Sequence, residues 1–217
     1  MRTMLLVVVL AAPAWAQRPE LSASLGFASE TLGSSQYDLV AKDDALPMYR
    51  VGAGVGFKLP VGSLDAELTW RSGSSGATAH QSVSSELRVR GLEVGAAYRY
   101  PWLKHLQPYV RLGAGWDWAS LSLLDVGCLT QTVSHPSGSL LAGVQVPFRL
   151  GSGAAWAPEV SIDLGLGGVL RPAYAFGAMA PTPPSGRVED PIARGTVNLG
   201  AMPMSGFTWR LGLTVRL

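Results

Sequence analysis

Eight stretches of this chain alternate apolar and polar residues with a period of two. The cleanest is the last. From Phe207 to Leu217 every odd position is apolar, and every even position is polar or glycine. Successive side chains of a β-strand point to opposite faces, so such a segment predicts a strand with one greasy and one wet face. The same period predicts strands at about 20–31, 47–59, 63–72, 84–100, 108–121, 139–149, 157–171 and 207–217. In the second, Tyr49, Val51, Ala53, Val55, Phe57 and Leu59 oppose Arg50, Gly52, Gly54, Gly56 and Lys58. The fourth slips once: Leu87 and Val89 are odd, whereas the apolar set from Leu92 onward is even. Either a β-bulge near Arg90-Gly91 shifts the register, or the 84–90 half rises above the layer that dictates facing.

The connections alternate between long (32–46, 73–83, 122–138, 172–203) and short (60–62, 101–107, 151–156). That is the layout of an up-and-down barrel with short turns at one end and long loops at the other. The loop after the seventh strand carries Pro181-Thr182-Pro183-Pro184 and has no readable structure of its own. Residues 1–16 join a basic Arg2, an apolar run from Met4 to Ala12 and Ala14-Trp15-Ala16. They read as a cleaved secretory signal peptide, leaving residues 17–217 as one barrel domain.

Composition narrows the class. Of the 217 residues, 47% are apolar and only 15% charged, below the roughly 25% of soluble domains. Without Arg2, the 17 basic residues become 16 against 15 acidic, a balance that argues against a nucleic-acid partner. The single cysteine, Cys128, placed in the third long loop, cannot close an intramolecular disulfide.

Alternation alone does not say which face is inside. A soluble, lipocalin-like carrier is apolar inside, and a membrane barrel is the inverse. Two features favour inversion. The polar face is rich in glycine (Gly52, Gly54, Gly56, Gly95, Gly113, Gly115, Gly165, Gly167, Gly212), which weakens an exposed strand but leaves room in a narrow lumen. It also carries both signs of charge: Arg50, Lys58, Asp65, Glu67, Arg71, Glu93, Arg99, Arg111, Asp117, Glu159, Asp163 and Arg210. In an eight-stranded barrel such pairs would plug the lumen rather than conduct. Tyr49, Trp70, Trp116 and Trp118 fall beside long loops, and Tyr98, Tyr100, Trp102, Tyr109 and Trp156 beside short turns, as two interfacial girdles would.

On these residues the chain resembles the small outer-membrane β-barrels of the OmpA transmembrane-domain and OmpX kind. Pro108-Tyr109-Val110-Arg111-Leu112-Gly113-Ala114-Gly115 is similar to the family's proline-tyrosine-led, glycine-spaced strand. Residues Arg210, Gly212, Val215 and Leu217 fit its C-terminal assembly signal, with Leu217 where the family usually has an aromatic. The resemblance implies an all-β, eight-stranded antiparallel up-and-down transmembrane β-barrel in the outer membrane of a Gram-negative cell. It implies outer-membrane lipid and the barrel-assembly machinery as partners.

Candidate chemistry is sparse. His80, His105 and His135 have no second histidine or cysteine at metal spacing, so neither metal nor cofactor is expected. His135-Pro136-Ser137, placed in a loop, invites comparison with lipid A deacylases, whose His-x-Ser pair works with a downstream carboxylate. Here that carboxylate would be Glu159, and Gly138 stands where those enzymes carry asparagine. The expectation is a non-enzymatic structural or surface-interaction barrel. The alternatives are a lipid-modifying enzyme, a small-solute channel and a soluble periplasmic carrier.

Overall fold

The computed structural model describes residues 19–32, 44–79, 83–103, 105–124, 128–149, 158–178 and 200–217. The signal-peptide segment, His80 and Trp156 lie outside the described residues. The strands are β1 (Glu20–Leu32), β2 (Ala45–Lys58), β3 (Ser63–Ala79), β4 (Val83–Arg99), β5 (Gln107–Leu124), β6 (Cys128–Arg149), β7 (Glu159–Leu170), β8 (Tyr174–Phe176), β9 (Gly200–Met202) and β10 (Gly206–Arg216). Eight of them close a barrel in the order β1-β10-β7-β6-β5-β4-β3-β2, every neighbour antiparallel, while β8 and β9 form a separate two-stranded pair.

Closure rests on the C-terminal strand. β10 pairs with β1 from Ser22–Arg216 to Leu32–Gly206 and with β7 from Glu159–Arg216 to Val169–Gly206, so neither edge is left open. The two-residue alternation becomes a sorting of faces. Leu25, Val51, Leu68, Val94, Leu112, Leu140, Leu164 and Leu211 are exposed on the outer wall, while Arg50, Arg71, Glu93, Arg111 and Asp117 are buried inside. A soluble carrier has the opposite polarity.

The strands on one side run longer than the alternation predicts. β3 reaches Ala79 rather than residue 72, and β6 begins at Cys128 rather than residue 139. At 22 residues β6 has about twice the roughly 9–11 that cross a bilayer. Its upper half, Thr130, Thr132 and Ser134 outward with Gln131 and Val133 inward, carries no apolar stripe, because its outward face lies beyond the apolar band. Cys128 is therefore the first residue of a strand and pairs with Leu124.

β4 contains no bulge. Its pairing to β3 runs unbroken from Arg99–Ser63 to Val83–Ala79, and Leu87 and Val89 point inward with Gly91 and Glu93. The apolar residues changed sides because the lumen itself turns apolar at this end. Leu87, Val89, Leu32, Leu46, Met48 and Leu121 pack there with Tyr174, Phe176, Met202 and Met204. The connection after β7, expected to have no readable structure, thus supplies the β8–β9 hairpin that fills the barrel mouth.

Candidate functional site

From the short-turn end upward, the lumen is a stack of ion pairs. Arg99 grips Asp65 at 2.6 and 2.8 Å, and Arg216 reaches Glu159 at 3.4 Å and the Gln145 amide oxygen at 2.9 Å. One layer higher, Arg210 donates to Asp163 at 3.0 Å and to the Tyr109 hydroxyl at 3.2 Å. Arg111 bridges Glu67 (3.2 Å) and Glu93, while Ser24 donates to Glu67 at 2.5 Å. Glu93 is the hub, also taking Arg50 and Arg71 at 3.1 Å each. Arg71 continues upward to Asp117 at 2.8 Å and donates to the Ser137 hydroxyl at 2.6 Å.

Three members of this stack were absent from the sequence-derived set: Glu30, Arg171 and Arg216. Parity alone would have found Glu30 and Arg216, which occupy even, inward positions of β1 and β10. Arg171 also has the odd, inward parity of the strand predicted to end on it, and the structure places it just past β7. Lys58 sits at the rim, well exposed, paired with Glu20 at 2.6 Å. Tyr109, expected in a girdle, faces the lumen because odd positions of β5 point inward.

Among the described residues, seven luminal arginines (50, 71, 99, 111, 171, 210, 216) meet seven carboxylates (30, 65, 67, 93, 117, 159, 163). The interior is charge-neutral, and the polar cavity left within it amounts to about 60 Å³, room for a few waters at most. Glycine makes the stack fit. A Cβ on Gly95 would lie 2.7 Å from the Arg111 guanidinium, and one on Gly113 2.7 Å from the Glu93 carboxylate carbon.

The mouth is closed by a clamp. Arg171, fully buried, donates to Asp117 and to Glu30, both at 2.6 Å. Burial by itself would lower the Arg171 pKa, but the two carboxylates hold it above its ordinary value. Three residues on, Tyr174 stacks on His135 with ring centroids 5.0 Å apart. Burial pushes the Tyr174 phenol up from its ordinary value, against the pull of Arg171.

His135-Pro136-Ser137 therefore lies on β6, not in a loop. His135 and Ser137 face inward, with Pro136 exposed on the wall. Glu159 pairs with Arg149, twelve residues down the strand from Ser137, which is roughly 40 Å at about 3.3 Å per residue. The structure does not bring His135, Ser137 and Glu159 together. Ser137 is held by Arg71 and turned away from the outer wall.

Above Gly138–Leu170 β6 loses its β7 partner, and above Gly73–Met48 β3 loses β2. Strands β3 to β6 thus continue as a four-stranded sheet above the barrel. Among the described residues, segments 74–79 and 131–137 lie along its two sides. On the outer wall, Phe27, Tyr49 and Trp209 cluster with ring centroids 5.6–5.8 Å apart. Trp70 and Trp118 approach to 6.3 Å. Tyr98, Tyr100 and Trp102 are exposed at the short-turn end.

Residues 3–167 match a family model described as outer membrane protein beta-barrel domain. Among solved structures, the chain is similar to Ail, the attachment invasion locus protein of Yersinia pestis, solved in complex with the heparin analogue sucrose octasulfate. The identity is 13% and the TM-score 0.51, with 93% of this chain and all of that one covered. It is also similar to the Neisserial surface protein A, at 14% identity and a TM-score of 0.44 over 92% of this chain and 96% of that one. No curated protein matches the sequence.

Proposed function

Because the chain belongs to the outer membrane protein β-barrel domain family, we propose that it acts in the outer membrane as a structural, surface-interaction protein, neither catalysing a reaction nor conducting solutes. In this reading residues 1–16 are a cleaved signal peptide, and Arg210, Gly212, Val215 and Leu217 engage the assembly machinery.

The observation that carries the reading is the sheet formed by β3–β6 above the barrel. Segments 74–79 and 131–137 each pair on one side only among the described residues. An extended edge of unpaired backbone is a template on which another extended chain can add a strand. The neutral, filled lumen supports a non-conducting barrel. The inward Ser137, far from Glu159, offers no nucleophile to a lipid on the outer wall.

The test shortens both hairpins in register, removing 75–87 from β3–β4 and 119–133 from β5–β6. Cells bearing the full-length protein should adhere to protein- and glycan-coated surfaces better than cells without it, and the shortened barrel should lose that gain. Equal adhesion by the shortened, still heat-modifiable barrel would overturn the reading. Ser137→Ala should leave the lipid A acylation pattern unchanged.

A further inference from the structure

The outer wall is almost free of charge. Along every described barrel strand, outward positions hold apolar residues, hydroxyls, glycine or proline, with three exceptions. Glu86, Arg88 and Arg90 are exposed on β4. They continue directly upward from Leu92 and Val94, which belong to the apolar band. Arginines on an otherwise cleared wall, just above the apolar band, sit at the level of the anionic headgroups.

Their surroundings fit that role. Arg90 pairs in register with Ser72 on one side and Trp118 on the other, and Arg88 with Ser74 and Ser120. The Trp70 and Trp118 rings, from the strands flanking β4, mark the interface, where indoles favour the headgroup layer. Glu86, Arg88, Arg90, Trp118, Ser120, Ser122 and Thr132 line a cleft of about 290 Å³. Among the described residues, Arg88 is tied only to Glu86, at 2.7 Å and half exposed, a weak pair that a stronger anion displaces. Arg90 has no ion pair among the described residues.

We propose that Arg88 and Arg90, above Trp118, form a seat for the phosphate of an outer-leaflet lipid, the acyl chains lying down the Leu92–Val94 wall. A guanidinium presents a planar fork of donors that matches a phosphate bidentately. Thr132 donates to the Ser120 hydroxyl at 3.3 Å, which leaves the Ser120 proton as a further donor beside the arginines. This site faces the membrane and is separate from the sheet edges through which a surface partner would dock.

The test is native mass spectrometry of the refolded barrel in detergent with lipid A, set against lipid A stripped of its phosphates. The wild type should retain one phosphorylated lipid, and R88A/R90A should retain about tenfold less. R90K, which keeps the charge, should fall between. Heat-dependent gel mobility establishes that each variant is folded. Equal retention of lipid by wild type and R88A/R90A, or equal retention of the dephosphorylated lipid, would overturn the assignment. So would dextran sulfate binding through the same arginines with lipid A left in place, which would make the site one for soluble polyanions.

Discussion

The guanidinium of Arg171 lies 2.6 Å from the carboxylate of Glu30, across 141 residues of sequence. Arg171 follows the seventh barrel strand and Glu30 sits near the top of the first, so this contact spans the barrel mouth and draws the β8–β9 hairpin into it. Both side chains are buried, and Asp117 completes the clamp from β5.

Replacing Arg171 with alanine leaves Glu30 and loosens Asp117 in a site closed to water. Breaking a buried pair by removing one partner costs about 3–5 kcal/mol. The expected outcome is a lower unfolding midpoint, read by gel mobility in SDS with increasing temperature. Amide exchange at Tyr174 and Phe176 should speed up.

Glu93 is the point on which three arginines converge. Glu93→Ala should destabilise more than Arg50→Ala, because it leaves Arg50, Arg71 and Arg111 facing one another with less countercharge. Glu93→Gln keeps the shape and one acceptor but loses the charge and turns the other acceptor into a donor facing an arginine, so its midpoint should fall between wild type and Glu93→Ala. Urea titrations of the three variants in the same micelles give the order.

Gly95 and Gly113 make room for the same network. Gly95→Leu or Gly113→Val forces the Arg111–Glu93 pair to move, with a cost of about 1–3 kcal/mol for overpacking. Serine at either position should be tolerated better than leucine or valine. The heat needed to convert the folded gel band reports the difference.

The Tyr174 hydroxyl is buried without a hydrogen-bond partner among the described residues, and burial raises its pKa above the ordinary value of 10.0. A group whose folded pKa is raised contributes stability that is complete below its unfolded value and is lost as pH climbs towards the folded one. The hairpin should therefore hold from neutral pH up to about 10 and loosen in stronger alkali. Tyr174→Phe should remove that alkaline loss without harm at neutral pH. Amide exchange of β8 across the alkaline range distinguishes the two.

Planar bilayers provide the check on the interior. Among the described residues, seven arginines balanced by seven carboxylates fill the lumen beneath an apolar hairpin. Wild type should show no conductance steps. Arg171→Ala should not open the pore, since the ion-pair stack below the clamp remains.

Alternation by itself determined the eight barrel strands and most members of the charged face, because a two-residue period maps directly onto two faces, and the glycines and mixed charges on that face pointed it inward. Arg50, Glu93, Arg111 and Asp163 were legible this way, and Glu30 and Arg216 obey the same rule. What the period could not reveal is where the surroundings of a face change along a strand. Leu87 and Val89 look like a register error in sequence, yet they are inward residues meeting an apolar cap. That cap is made by Tyr174, Phe176, Met202 and Met204, from a connection too short in regular structure to show a pattern. The upper half of β6 was equally silent, since its outward face lies beyond the apolar band and nothing forces alternation there. Tertiary structure alone decided these points, because they depend on which distant segment fills the mouth and not on any local preference of the chain.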